Sequence, residues 1–361
     1  MAESRADAPP PPPAPDPVRP QRPRNLSPWA YWQLQLAETA PPESYPVDDS
    51  EHGLDGYRER ARARLRDLLG EWPERVPLDI EVLERDDAGP YTRERIVFDS
   101  ETTMSVPAYL LVPHERTQPG SAVLAIHGHG AGKSMVCGLD GGRDDLREEI
   151  GEQHGDYAHQ LACRGFVVLA PDLRGFGERT DWNPPDHYQC DWNLVSATMN
   201  GLVPLTQNLW DLRCCIDVLA QHPLVDAERI GAAGLSYGGT GTLFLAAIDE
   251  RVKAAVVSGY FSSWAAAHRM PWNMCGSQIL PGMLGRLEHV DLGALVAPRA
   301  LLVETGTDDP IFPVTAAREA FATLTHVYDA LGVRERLVHD VFEGGHRWHG
   351  ERAYPFLERE L

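Results

Sequence analysis

The sequence predicts an α/β protein with a mostly parallel central sheet, helices on both faces and an antiparallel N-terminal edge. Short, wholly apolar runs alternate with longer helical stretches, which is typical of strands buried on both faces of a parallel sheet. The segments before them alternate imperfectly in polarity and are separated by turn sequences, which favours an antiparallel meander. The meander strands are predicted at 78–84, 94–98 and 104–112. The buried strands are predicted at 122–126, 166–170, 230–235, 254–258, 300–303 and 337–342.

The chain of 361 residues divides by composition into three parts. The first part is rich in proline and has no apolar periodicity, so we expect a disordered tail. The second part carries two predicted helices, which we interpret as an N-terminal cap. The third part holds all the predicted strands and two long, aromatic-rich insertions that resemble lids. The predicted boundaries are 1–25 for the tail, 26–77 for the cap, 78–361 for the α/β domain, and about 180–206 and 260–285 for the insertions.

Composition excludes several classes of partner. The formal net charge is −20, whereas nucleic acids and anionic membranes attract basic surfaces. The six cysteines form no C-x-x-C pair, which predicts a reducing compartment rather than a disulfide framework. There is no apolar signal segment and no run of about 20 apolar residues, so a cytoplasmic protein is expected. Composition leaves the oligomeric state open.

The strongest chemical motif is GLSYGG at 234–239, between the predicted strand at 230–235 and an apolar helical segment at 240–248. This strand–turn–helix context is what a nucleophile elbow requires, because only small residues fit two positions before and after the serine of so tight a turn. The helix that follows also directs its positive end at the serine. The motif therefore predicts Ser236 as a nucleophile.

A serine hydroxyl needs a base, and the base needs an orienting acid. The predicted strand at 300–303 leads to Asp308 and Asp309. Asp309 is favoured because the rigid Pro-Ile-Phe-Pro segment follows it directly, and Asp308 is the alternative. After the last predicted strand, two glycines precede His346 and allow a sharp bend, so His346 is the predicted base and His349 the alternative.

A glycine-rich loop, HGHG at 127–130, follows the predicted strand at 122–126. Such a loop is where a backbone N–H donor to an oxyanion is expected, and we assign it to His129. The second donor is the backbone N–H of Tyr237, the residue after the serine. A zinc site at His127 and His129 is not favoured, because no cysteine or carboxylate stands nearby at a useful spacing. No metal or organic cofactor is expected.

Five segments occur in the order found in α/β-hydrolases, and in detail they resemble the dienelactone-hydrolase and acetyl-xylan-esterase-like branch. They are 127–130 (HGHG), 171–177 (PDLRGFG), 234–239 (GLSYGG), 297–299 (APR) and 344–346 (GGH). The resemblance covers about residues 78–355. It implies an α/β-hydrolase fold and a serine carboxylic-ester hydrolase acting on a small acyl ester, such as an acetylated carbohydrate. Dienelactone hydrolases proper carry a cysteine nucleophile, so Ser236 favours ordinary ester cleavage over lactone opening.

The insertions predict the substrate pocket, because loops at the carboxyl edge of an open sheet usually supply it. The candidates are Trp192, Trp210, Trp272 and Met274, whose side chains suit apolar or sugar-like ligands. Two other functions stay open. One is a peptidase related to prolyl oligopeptidases, although the roughly 75 residues before the strands are too few for the β-propeller such enzymes usually carry. The other is a binding protein with a hydrolase fold and no catalysis.

Overall fold

The computed structural model of the chain describes residues 24–45, 53–180, 190–268 and 274–361. Most of the predicted tail and the pocket candidate Trp272 therefore lie outside the described residues. Each of the predicted strands is present, within a few residues of its expected ends. The strands are β1 Glu81–Asp87, β2 Tyr91–Glu101, β3 Met104–Pro113, β4 Gly120–Ile126, β5 Val167–Pro171, β6 Val225–Leu235, β7 Val252–Ser258, β8 Ala300–Gly306 and β9 Leu337–Phe342.

All of these strands belong to one sheet in the order β1-β2-β3-β5-β4-β6-β7-β8-β9. The pairs from β5 to β9 are parallel, whereas β1, β2, β3 and β5 pair antiparallel. The predicted fold class is confirmed. Parallel strands need crossover connections, and helices between the strands supply them.

The chain divides into two units, Met1–Glu38 and Thr39–Leu361. The described part of the first unit holds helix α1. The helices of the second surround the sheet. The helices are α1 Pro28–Glu38, α2 Gly53–Leu69, α3 Lys133–Val136, α4 Asp144–Gln153, α5 Tyr157–Cys163, α6 Cys190–Met199, α7 Pro204–Gln221, α8 Tyr237–Ile248, α9 Trp264–Ala267, α10 His289–Val296, α11 Val314–Ala330 and α12 Ala353–Glu360.

The core lies on both faces of the sheet. In β4, Leu124 and Ile126 point into one buried cluster, and Val123 and Ala125 point into the other. Because successive side chains of a strand alternate between faces, a strand covered on both sides must be apolar throughout, as β4 is. Across the part of the chain that the structure describes, no helix combines the length and apolarity needed to cross a membrane.

Candidate active site

Ser236 lies at the turn between β6 and α8, and its backbone has φ +60° and ψ −118°. A positive φ is uncommon for a residue with a side chain and stores strain. A Cβ at Gly238 would lie 1.9 Å from the main-chain oxygen of Ile126, and a Cβ at Gly234 would lie 2.4 Å from the carbonyl of Gly238. The turn therefore accepts only glycine at these two positions, for the steric reason that the motif predicts.

Two neighbouring segments hold the main chain around Ser236. The N–H of Ser236 donates to the carbonyl of Ser258, at the end of β7, over 2.9 Å. The loop after β4 passes on the other side, since a Cβ at Gly128 would lie 3.4 Å from the Cβ of Ser236. Tyr237 is the first residue of α8, so its N–H has no carbonyl partner within the helix. The backbone of this loop and the start of α8 thus border the serine.

His346 and Asp309 form a hydrogen-bonded pair. The Nδ1 of His346 lies 2.8 Å from the Oδ2 of Asp309, whose side chain is almost fully buried. The other oxygen, Oδ1, accepts from the N–H groups of Ile311 and Phe312 at 2.8 and 3.0 Å. The carboxylate is therefore held at both oxygens, and the Pro-Ile-Phe-Pro segment supplies two of its partners. The Phe312 ring packs beside His346, with 6.0 Å between centroids.

The imidazole of His346 lies at the same edge of the sheet as the serine turn. A Cβ at Gly259 would lie 3.0 Å from the Cε1 of His346 and 3.1 Å from a methyl carbon of Leu235. Gly259 follows Ser258, whose carbonyl accepts the N–H of Ser236. Ser236 and the hydrogen-bonded pair of His346 and Asp309 thus lie at the same edge of the sheet, where β6, β7 and β8 end.

The two alternative residues have other partners. The carboxylate of Asp308 accepts from the hydroxyl of Thr307 at 3.0 Å, in an exposed contact. The ring of His349 stacks on Phe342, and its Nδ1 lies 2.8 Å from the Oδ2 of Asp340. The structure therefore brings Asp309 and His346 together and directs the side chains of Asp308 and His349 elsewhere.

Comparison with known proteins identifies the family of the chain. The Abhydrolase family matches residues 21–328. The chain belongs to this family. Among curated proteins, it is 26% identical over 284 residues to the "Putative hydrolase YtaP" of Bacillus subtilis (strain 168), covering 77% of this chain and 90% of that protein.

Solved structures resemble this abhydrolase in fold. A structure described as a putative acetyl xylan esterase from Bacteroides fragilis has a TM-score of 0.74 at 18% identity and covers 88% of this chain and 83% of its own. The glucuronoyl esterase from Solibacter usitatus has a TM-score of 0.63 at 16% identity and covers 84% and 92%. The predicted membership of the α/β-hydrolases is confirmed by the family match, and these structures share the fold.

The segment 171–177 of this abhydrolase is held by buried charge pairs. Arg174, from this segment, makes two hydrogen bonds to Asp211, at 2.9 and 2.8 Å, and Arg179 makes one at 2.8 Å. Burial would raise the pKa of Asp211, but the two guanidinium groups outweigh it and hold the pKa at about 2. The pairs fix Phe176, whose ring contacts that of Tyr237 at 5.5 Å.

His127 is a positioning residue in the same region. Its ring is buried, and its Nε2 accepts the N–H of Leu173 at 3.0 Å. Burial lowers its pKa, which favours the neutral ring that this acceptor role requires. The contact ties the loop after β4 to the loop after β5.

Glu304, at the end of β8, has no exposed surface and supports the loop that carries His346. Its carboxylate accepts the N–H groups of His349 and Gly350 at 3.1 and 2.8 Å. Burial raises the pKa of Glu304 to about 6. The sequence analysis did not single out this residue, because one glutamate at the end of an apolar run carries no motif.

The pocket candidates occupy different surroundings. Trp192 is half-exposed and lines a cavity of about 370 Å³ beside Arg174 and Arg179. Trp210 is buried, donates its indole N–H to the carbonyl of Ser100 at 2.7 Å and packs against Trp72. Met274 is partly buried against the larger core cluster.

A group of side chains beside this region was missed by the sequence analysis. His129 lies close to Cys190 and Cys275, and their three ligand atoms fall within 4.8 Å of one another. The two cysteines come from the two predicted insertions, and spacing along the chain gives no sign of the contact. The only sign in the sequence is that each insertion contains one cysteine.

Proposed function

We propose that this abhydrolase is a serine carboxylic-ester hydrolase that works through an acyl-enzyme. The observation that carries the proposal is the hydrogen bond from His346 to the buried Asp309, at the same sheet edge as the strained turn of Ser236. A hydroxyl on a strained turn, an imidazole at the same sheet edge and a carboxylate that orients this imidazole form the arrangement that activates serine for acyl transfer.

In the proposed reaction, Ser236 attacks the ester carbonyl while His346 accepts the hydroxyl proton. His346 then passes this proton to the leaving alcohol, and a water molecule hydrolyses the acyl-enzyme by the same route in reverse. Asp309 keeps the proton of the imidazole on Nδ1, so that Nε2 faces the serine, and stabilises the charged ring.

The proposed oxyanion hole consists of the N–H groups of Tyr237 and His129. The N–H of Tyr237 is at the positive end of α8, and the loop carrying His129 borders the Cβ of Ser236 through Gly128. Each such donor typically stabilises the transition state by about 3 kcal/mol. Neither donor depends on a side chain, so their geometry is set by the two turns.

The proposed substrate is a small acyl ester, with an acetylated carbohydrate as the leading candidate. The names of the fold neighbours, acetyl xylan esterase and glucuronoyl esterase, support an ester of a carbohydrate. The exposed edge of Trp192 beside two arginines offers an aromatic face and hydrogen-bond donors, which suit a sugar ring. We therefore propose this cavity as the alcohol-side subsite.

The test is hydrolysis of p-nitrophenyl esters from acetate to decanoate by the wild type and by Ser236→Ala. We expect the wild type to favour short chains and the variant to lose activity. Ser121→Ala is the matched control, because Ser121 is a buried serine that bonds to the carbonyl of Leu361 at the opposite end of β4. Its activity should equal that of the wild type.

A fluorophosphonate probe with peptide mapping adds a second readout. We expect one labelled site, on the peptide that contains Ser236. Equal ester cleavage by wild type and Ser236→Ala would refute the nucleophile. A protein that is labelled at Ser236 and cleaves peptide anilides, but does not cleave esters, would favour the peptidase function. Neither labelling nor turnover would favour a binding protein.

A further inference from the structure

Three side chains that bind soft metal ions meet next to the proposed oxyanion hole. His129 follows β4, Cys190 begins α6, and Cys275 precedes a short 3₁₀ turn. The ring nitrogen and the two Sγ atoms all lie within 4.8 Å of one another. The Nε2 of His129 is 3.7 Å from the Sγ of Cys190. None of these side chains takes part in the proposed ester cleavage.

The spacing fits a tetrahedral metal ion. With Zn–S bonds of about 2.3 Å and Zn–N bonds of about 2.0 Å, neighbouring ligand atoms of a tetrahedral site lie about 3.5–3.8 Å apart. The contact between His129 and Cys190 already has this length. The remaining contacts need to close by roughly 1 Å at most, which a small side-chain rotation provides.

The surroundings shield the sulfur atoms and hold the imidazole in place. Cys190 is buried, and Cys275 is partly buried. The ring of His129 packs against the rings of Phe176 and Tyr237, at 5.6 and 5.2 Å between centroids. Because these rings restrict its rotation, His129 is preorganised toward the two sulfur atoms.

We propose that His129, Cys190 and Cys275 form a binding site for a thiophilic divalent cation, foremost Zn²⁺. Three protein ligands leave the fourth tetrahedral position to water. Binding releases the thiol protons that the two cysteines still carry, because both must ligate as thiolates. The bound ion cross-links the loop after β4 to the segments that begin α6 and precede the 3₁₀ turn, and it contributes nothing to the proton transfers proposed for His346.

The test is a titration of the full, reduced chain with Co²⁺, whose absorption spectrum reports both thiolate ligation and tetrahedral geometry. We expect one Co²⁺ per chain, thiolate charge-transfer bands, and displacement by Zn²⁺. Cys190→Ser and Cys275→Ser should each weaken Co²⁺ binding by more than about 100-fold, since loss of even an outer-sphere partner costs 10–100-fold.

Cys163→Ser is the matched control. Cys163 is exposed, and its Sγ lies 3.6 Å from the Nε2 of His159, so this pair is a competing source of a cysteine–histidine signal. The control should bind Co²⁺ as the wild type does, and circular dichroism should show each variant folded.

Absence of charge-transfer bands in the reduced wild type would refute the site. Bands that survive in both Cys190→Ser and Cys275→Ser would also refute it. A Cys190–Cys275 disulfide that forms in air, with no Co²⁺ binding after reduction, would identify a redox pair instead. Binding does not depend on ester turnover, so failure of this proposal and failure of the proposed function are distinguishable.

Discussion

The substitution Glu304→Gln tests whether a buried charge lies under the loop of His346. The carboxyl has no exposed surface, and burial raises its pKa from the ordinary 4.5 to about 6. A carboxyl whose pKa is higher in the folded chain binds its proton more tightly there. Its contribution to stability therefore falls as the pH rises from about 4.5 to 6, and stays low above that window.

The size of this effect follows from the pKa difference. At 1.36 kcal/mol for each tenfold change in proton affinity, the rise from 4.5 to about 6 corresponds to about 2 kcal/mol. Glutamine cannot ionise, so the variant does not lose this stability as the pH rises. We expect the free energy of unfolding of Glu304→Gln, relative to the wild type, to increase by about 2 kcal/mol between pH 4.5 and pH 7.

The assay is urea unfolding followed by tryptophan fluorescence at several pH values between 4.5 and 7. Asp291, whose pKa burial also raises to about 6, is present in both proteins and cancels in the difference. Glu358→Gln, at an exposed position of α12, is the control for the effect of replacing a glutamate that is not buried. A difference for Glu304→Gln that stays flat with pH, or decreases, would refute the reasoning.

Three other predictions concern the site and its supports. Asp309→Asn should lower kcat by about 10⁴-fold in initial-rate measurements. Asp308→Asn should leave kcat near the wild-type value, and equal losses of kcat in the two variants would refute Asp309 as the orienting acid. Gly238→Ala should lower the free energy of unfolding by about 3 kcal/mol or more, because its Cβ would lie 1.9 Å from a main-chain oxygen of β4. Gly151→Ala, in open space on α4, should raise stability slightly in the same denaturation assay. Asp211→Asn should lower the free energy of unfolding by about 3–5 kcal/mol, because it removes the charged partner of buried arginines. A thermal melt like that of the wild type would contradict this.

Much of the fold is encoded in local patterns. The buried strands are read from runs such as 122–126 and 300–303, because a strand covered on both faces has to be apolar at every position. The serine turn is only partly local. The 2.4 Å contact that excludes a side chain at Gly234 is with Gly238 inside the turn, whereas the 1.9 Å contact at Gly238 is with Ile126 of the neighbouring strand β4.

The choice between neighbouring candidates was not local. Asp308 and Asp309 are adjacent and chemically identical, and side chains of adjacent residues point in different directions. Which of them meets His346 depends on the path of the segment that follows β8 and on the loop after β9. Only the parallel pairing of these two strands brings both loops to one edge of the sheet.

By itself, the sequence determined the strands and the fold class, because burial on both faces acts on a few consecutive residues, and its glycines marked the serine turn. The tertiary structure decided which distant residues meet. It places Asp211 against Arg174 and Arg179, the backbone donors of the 349–350 segment on Glu304, and two cysteines beside His129. These contacts join residues dozens of positions apart. Strand order and the packing of the crossover helices decide which residues meet, and spacing along the chain does not reveal either.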